Sequence, residues 1–433
     1  MCNTIYTTSP PFVVCSLCGK DMSSAQRCTA NRIKKDEFMD FKFSDKEEAF
    51  RLKFRSWLEN NIPRDWRDGG ELHDPDTKEE FERRRAWHRT LYNGGWMCLH
   101  WPKEYGGRGA TLIEQVIYQQ ELDRAKAPPT VNFQGIARVG PTLMQWGTAE
   151  QKARHIPKIP PAEEIWCQGL SEPNHGSDLA AVETRAVDNG DHFIVNGSKV
   201  WTSNAHHADF TTLLCRTDPD APKHRGLSYL LVDIKSPGIE VRPLIQITGE
   251  HGFNQVFFED VKVPKANLVG QINQGWMVAM TNMMFERTIH GGRTDMMVEV
   301  KQLTELARKV EYNGHLAWED EYVRQRIAQF ACEAEALKYT SFRQLTKQLK
   351  GLPPGPEGSM MKLGTSELNL RIQAFAMELL GPYSQFEYRA PGAVDSGKWS
   401  HRLLASRRST IAAGSNEIQH NIIGERVLGL PKG

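Results

Sequence analysis

The sequence predicts a mainly α-helical chain with a central β-domain: an N-terminal helical domain, an antiparallel barrel-like β-domain and a C-terminal four-helix bundle. Three observations carry the prediction. Residues 40–160 place apolar side chains at helical spacing, residues 165–265 break into short β-rich runs separated by Gly and Pro, and the helical period returns from Gly275 onward. A chain of 433 residues has room for two to four domains, and limits are expected at 39–163, 164–268 and 269–433, after a disordered leader over 1–38. Apolar residues make up 39%, and 54 Lys+Arg against 53 Asp+Glu leave a formal charge of +1. That composition excludes a disordered, collagen-like or disulfide-scaffold chain. The charge balance lacks the basic excess of a nucleic-acid binder. Apolar runs such as 229–232 fall far below the roughly 18 residues of a membrane span.

The first helix is announced by Ser44-Asp45-Lys46-Glu47, a capping-box pattern that satisfies free N–H groups at a helix start. Phe50, Phe54, Trp57 and Leu58 form its apolar stripe and Pro63 ends it. Helices near 78–92, closed by Gly94-Gly95, and over 112–125 and 143–155 complete the block. At Glu164 the texture changes. HFIV at 192–195, Asn196-Gly197 and KVW at 199–201 read as a β-hairpin around a type I′ turn. Runs at 227–234, 240–244 and 255–263 read as further strands. Helices are then expected over 276–309, 319–349, 359–380 and 416–428, with the Gly- and Pro-rich 351–358 as an interhelical loop. No unit recurs at a fixed period, which excludes a solenoid.

Four of the eight cysteines (Cys2, Cys15, Cys18, Cys28) fall in the leader, while Cys98, Cys167, Cys215 and Cys332 are scattered. Scattered thiols fit a reducing compartment, the cytoplasm of a bacterium or the mitochondrial matrix of a eukaryote. No metal centre is expected. Cys15 and Cys18 have C-x-x-C spacing but no second pair at zinc-ribbon distance, and adjacent His206 and His207 would point to opposite faces of a strand.

The sequence contains no G-x-G-x-x-G after a strand, no Walker A, no H-E-x-x-H and no G-x-S-x-G. Two segments stand out instead. WCQGLSEPNHGSD at 166–178 combines short hydroxyls, two glycines and a proline after an apolar strand start, which suits a loop that approaches a polar ring edge or a phosphate. GSKVWTSN at 197–204 puts a Trp beside hydroxyls, able to cover a flat heterocycle and bond its edge. Turn and hairpin chemistry also explains most of these residues when each segment is taken alone.

Together with PKEYGG at 102–107, FFEDVKVP at 257–264 and IAAGSNEIQ at 411–419, the two segments resemble the acyl-CoA dehydrogenase family of flavoproteins over about residues 40–433. The resemblance implies helical domain, β-domain and four-helix bundle, in agreement with the texture above, and an assembly that is usually a tetramer. It implies FAD as cofactor, an acyl-CoA substrate converted to a 2,3-enoyl-CoA in lipid breakdown, and an electron-transfer flavoprotein as acceptor. By matching positions it implies Gln168, Leu170, Ser171 and Ser177 as FAD contacts, with Ser177 also near the pantetheine arm. Trp201 then packs on the isoalloxazine and Ser203 bonds N5, with Thr202 beside it, while Ser415 and Glu417 lie near the adenosine side.

The family's reaction needs a carboxylate base in a dry pocket, where desolvation raises its pKa. Most members carry it two residues before the hydroxyl of the C-terminal loop; here that position is Ala413. Members resembling isovaleryl- and long-chain-acyl-CoA dehydrogenases carry it on a bundle helix just before an arginine. The matching MFER at 284–287 implies Glu286 as base and Arg287 as a supporting charge near the substrate; a surface Glu–Arg helix pair is the alternative. Two further stretches depart from the family. An Arg-x-x-Phe-Gly stretch is replaced by NGHLAW at 313–318, and Gln-x-x-Gly-Gly by ELLGPY at 378–383. Losing an Arg near a pyrophosphate removes a charge-assisted bond. Similar departures occur in bacterial relatives that work as mixed assemblies on bulky CoA esters. A homodimer or homotetramer, a mixed tetramer, a non-catalytic subunit, and oxidase or desulfinase-like chemistry therefore remain open.

Overall fold

The computed structural model describes residues 43–67, 76–289, 295–352 and 355–432. The expected leader over 1–38 and its cysteines lie outside the described residues. Helix α1 (Asp45–Asn61) opens directly after Ser44 and buries Phe54 and Leu58. The short α2 (Arg64–Arg67) follows Pro63. Helix α3 (Lys78–Asn93) is capped by Thr77, whose hydroxyl accepts from Glu80 N, and α4 (Leu112–Arg124) by a capping box of Thr111 and Glu114. The single helix expected over 143–155 is two, α5 (Gly140–Trp146) and α6 (Ala149–His155). Extended Gly147 stops the first, and a second capping box, Thr148 with Gln151, starts the next. A π turn over Gly135–Val139 leads into α5.

The PKEYGG stretch has a packing reason. Gly106, at φ 81°, closes the 3-10 turn Lys103–Tyr105. A Cβ on Gly107 would sit 2.0 Å from the carbonyl oxygen of the buried Trp101. Gly107→Ala is therefore expected to lower stability by about 1–3 kcal/mol, read as a fall in thermal midpoint.

The β-domain is one seven-stranded sheet: β1 (Trp166–Gly169), β2 (Arg185–Asp188), β3 (His192–Ser203), β4 (Phe210–Arg216), β5 (Leu227–Asp233), β6 (Ile239–Leu244) and β7 (Phe253–Pro264). The expected all-antiparallel sheet is mixed, because β1 and β2 both run parallel to β4. The chain enters β1 from the helices and reaches β4 only after the β2–β3 crossover, which leaves a parallel pairing. The expected hairpin at Asn196-Gly197 is also corrected. Strand β3 runs straight through these residues, and both of its halves pair with β7. Asn196 stands opposite a bulge in β7, where its side-chain amide exchanges two hydrogen bonds with Asp260 (3.0 and 2.9 Å). Gly197 lets Thr184 approach so closely that a Cβ would lie 2.7 Å from its hydroxyl. The hairpin joins β2 to β3 instead, turning at Gly190 (φ 87°), with Asn189 N donating to His192 O.

Strand β5 is buried on both faces, which explains its continuous apolar run. Leu227, Tyr229 and Leu231 enter a core shared with Trp87, Trp96, Trp101 and Leu143 of the helical block. Leu230 and Val232 enter a second core with Phe193, Val195 and Val256. Helix α7 lies against β5, whereas β6 is an open edge carrying Pro243 and the Glu240–Arg242 ion pair.

The helix expected over 276–309 is likewise two, α7 (Gly275–Ile289) and α8 (Met297–Ala307). Helix α7 buries Val278 and Ala279 in the first core. A two-residue hairpin pair, β8 (Glu311–Tyr312) and β9 (His315–Leu316), turns at Asn313-Gly314 with both φ positive. Then follow α9 (Glu321–Leu349), α10 (Gly358–Leu380), α11 (Lys398–Ser406), which the sequence reading did not anticipate, and α12 (Asn416–Ile422). Val300, Leu303, Phe330, Ile372, Phe375 and Trp399 give α8 to α11 a third core. Among the described residues no helix is long and apolar enough to cross a membrane.

Candidate active site

The site is built where β1 and β3 leave the sheet. After Gly169 the chain runs beside β3, and Val200 N donates to Ser171 O at 2.9 Å. Just beyond Lys199, β3 carries one residue more than β7, a β-bulge spanning Val200 and Trp201. Trp201 takes φ 60°, in the left-handed region that aromatic residues avoid. Its ring is 60% exposed and meets Phe253 edge-on at 6.0 Å. Thr202 is buried beside it, and among the described residues its hydroxyl oxygen has no hydrogen-bond partner. A displayed aromatic face next to an unpaired hydroxyl fits a planar heterocycle with a polar edge, as FAD has. Backbone strain of this kind concentrates at functional sites.

The loop over 170–178 carries the other expected contacts. Leu170 and Ser171 are half-buried beside β3, and Ser177 is exposed, next to Asp178, which pairs with Lys223. Gln168, also expected at the cofactor, is buried at the end of β1 with its side chain engaged by neighbours. Its side-chain oxygen accepts from Arg138 Nη1 and its nitrogen donates to Asn282 Oδ1, both at 2.5 Å. Asn282 Nδ2 in turn donates to Thr142 Oγ1 at 3.3 Å, and Trp146 Nε1 to Thr281 Oγ1 at 3.0 Å. Arg138 is presented from the π turn, a distortion often found at functional positions. This chain of contacts ties the helical block, β1 and α7 together around the site. Arg138, Asn282, Glu172 and Lys199 were all missed in the sequence, where each reads as an ordinary polar residue.

Glu286 and Arg287 fall in the last turn of α7; their side chains lie outside the described residues. Position 286 is one helical turn beyond Asn282. It directly follows Phe285, which with His100, Trp101, Tyr105 and Met144 lines a cavity of about 380 Å³ between α7 and the helical block. Burial lowers the pKa of His100 to about 4, so this wall carries no charge at neutral pH. Ala413, at the commoner base position, is exposed with φ 57°.

Ser415 and Glu417 are not brought to this cradle by the contacts described. Ser415 caps α12, accepting from Ile418 N at 3.4 Å. The next residue, Asn416, accepts from Lys362 and Ser366 of α10 at 2.7 and 3.1 Å. Tyr312, just before the first departing stretch, donates to Glu378, the first residue of the second, at 3.2 Å. His206 and His207 lie on a 3-10 turn rather than a strand, with His207 stacked on Phe81 at 4.1 Å.

Comparison with known proteins gives the same picture. The N-terminal, middle and C-terminal domains of acyl-CoA dehydrogenases match residues 44–162, 167–261 and 273–428. The chain is 38% identical to acyl-CoA dehydrogenase IpdE1 of Mycobacterium tuberculosis over 392 residues, 89% of this chain and 98% of that protein. Among solved structures it is similar to the Tcur3481–Tcur3483 steroid ACAD (31% identity, TM-score 0.79, 91% of this chain and 100% of that one). It is also similar to the ChsE4–ChsE5 complex of Mycobacterium tuberculosis (31% identity, TM-score 0.77, 91% and 100%). A Trp displayed beside an unpaired hydroxyl, a cavity against α7 and matches that run the length of the helices–sheet–helices order have one common source: the chain belongs to the acyl-CoA dehydrogenase family of FAD-dependent oxidoreductases.

Proposed function

We propose that this chain dehydrogenates a bulky, ring-bearing acyl-CoA at its α,β-bond, with Glu286 as the base. The observation that carries the reading is Trp201, held in a strained conformation with its ring displayed beside the unpaired Thr202 hydroxyl. FAD, when bound, supplies the acceptor for the β-hydride. Trp201 would cover the isoalloxazine, and Thr202 and Ser203 would bond its edge. Leu170 and Ser171 would face the ring from the loop, and Ser177 would stand near the pantetheine arm. Glu286 takes the α-proton on its carboxylate, and Arg287 adds positive charge beside it. The aromatic and apolar lining of the cavity offers a seat for the acyl group beside it. The cavity's flat lining suits a fused-ring acyl group better than a thin chain, and one similar structure is that of a steroid ACAD.

The assembly follows the same reasoning. The replaced stretches at 313–318 and 378–383 leave the ADP end of FAD short of an arginine in this chain, and two similar structures are two-chain complexes. A mixed tetramer with a related chain, passing electrons to an electron-transfer flavoprotein, accounts for both facts.

The test is anaerobic flavin bleaching with short, long, branched and polycyclic acyl-CoAs, alone and with candidate partner chains. Polycyclic thioesters are expected to bleach fastest. Rapid peroxide formation on reoxidation would instead assign oxidase chemistry. A chain that takes up no FAD in any combination defeats the reading. Trp201→Ala is expected to weaken FAD binding by up to about tenfold, the scale of one aromatic stacking contact, with little change in melting because the ring is exposed.

A further inference from the structure

Lys199 is the one lysine side chain in the central sheet region described as wholly buried (0% exposed), and its ion-pair partner Glu172 is 7% exposed. Burying two charges is unfavourable unless geometry and extra hydrogen bonds compensate. Both conditions are met. Lys199 Nζ donates to Glu172 Oε1 at 2.8 Å and to Leu170 O at 3.0 Å. The Glu172 carboxylate also accepts from Glu183 N at 2.7 Å and Thr184 N at 2.8 Å. With Val200 N on Ser171 O, the three consecutive residues Leu170, Ser171 and Glu172 each take a bond from Lys199 or Val200. Those bonds end where the bulge begins, one residue before Trp201.

We propose that the Glu172–Lys199 pair is a positioning device. It stitches the 170–172 loop to β3 in the cofactor-free protein and so holds Trp201 in its left-handed conformation, presenting a finished cradle to the flavin. The inference rests on the FAD reading of that cradle and adds how the cradle is set. Without the pair, β3 can realign on β7, the bulge relaxes and Trp201 returns to an extended conformation against the sheet. The pair touches neither Trp201's exposed face nor the cavity at Phe285, so it acts through the backbone.

The test compares the wild type with Lys199→Met and with the double variant Glu172→Gln/Lys199→Met. The double variant removes both buried charges, so no lone charge is left in the sheet and it folds even if the single does not; its one amide oxygen keeps a bond from Glu183 N or Thr184 N. Two readouts are taken: hydrogen–deuterium exchange of the apoprotein over 168–204, and FAD dissociation constants by flavin fluorescence with the visible spectrum of the bound flavin. In the double variant, exchange should rise over 170–172 and 199–203 but not in α9 or α10. Its FAD dissociation constant should rise by about ten- to a hundredfold, the scale of one or two lost buried hydrogen bonds, with altered flavin fine structure and a near-normal melting temperature. Wild-type exchange in the double variant overturns the proposal, as does a wild-type dissociation constant with an unchanged spectrum. If exchange rises as expected but the wild type itself takes up no FAD, the clamp stands and the cofactor reading fails.

Discussion

Glu286→Gln is expected to lower the rate of flavin reduction by a good acyl-CoA by about a thousandfold, inside the range that a positioned general base supplies. Glutamine keeps the size and most of the hydrogen bonding of glutamate and cannot take a proton. FAD content and melting should therefore stay near wild type, because position 286 lies at the end of α7, beyond the Asn282 contacts that hold the helix. Stopped-flow reduction under anaerobic conditions separates the chemical step from reoxidation. Arg287→Gln should give a smaller loss, concentrated in substrate affinity. Normal turnover in Glu286→Gln would move the base elsewhere, since Ala413 offers no carboxylate at the alternative position.

The second large effect is expected far from the site. Glu121 of α4 has a side chain only 1% exposed, and three arginines converge on it. Arg55 contributes two bonds of 2.8 Å, Arg124 one of 2.8 Å and Arg51 one of 3.0 Å. Burial alone would raise its pKa, but the hydrogen bonds from Arg55, Arg124 and Arg51 outweigh it and bring it down to about 2. A carboxylate depressed in the folded state stabilises fully above its unfolded pKa of about 4.3. That stabilisation is lost as pH falls from there through about 2. Glu121→Gln should cost about 3 kcal/mol at pH 7, the low end for breaking a buried pair, because Arg55 and Arg124 reach solvent. Denaturant midpoints at pH 7 and pH 3 should show the gap between variant and wild type narrowing in acid. A gap independent of pH would mean that packing, not charge, gives Glu121 its importance.

Much of this molecule is legible in the sequence where one residue's local chemistry decides the outcome. Thr111 with Glu114 starts a helix in isolation as it does here, and the alternation of β7 places Val256, Phe258 and Val261 inward. The errors arise where two local signals compete. Asn189-Gly190 and Asn196-Gly197 carry the same turn dipeptide seven residues apart, and only the first turns. The second is drawn straight by pairing on both sides with the twelve-residue β7, a partner that arrives some sixty positions later. The Asn313-Gly314 turn, unforced by such a partner, does form a hairpin. The candidate site divides in the same way. Trp201 is recognisable because exposed Trp beside hydroxyls is rare. The Arg138–Gln168–Asn282–Thr142 chain is invisible, because its members lie up to 144 positions apart and nothing in any one of them signals the others.

The two margins of the sheet are finished differently. The outer edge of strand β5 is taken up by the chain itself: Leu227 and Leu230 bridge Gln274 and Leu268, and Val269 N donates to Tyr229 O at 2.9 Å. Strand β6 ends the sheet, and among the described residues no strand pairs with its outer edge, a template on which a second extended chain can add. Pro243 deletes one donor from that row, and the Glu240–Arg242 pair sets fixed charges along it. These are gatekeepers against edge-to-edge aggregation. They matter most while the chain is newly made, because the hydrophobic Ile245 and Ile247, 79% and 73% exposed, lie just beyond the strand.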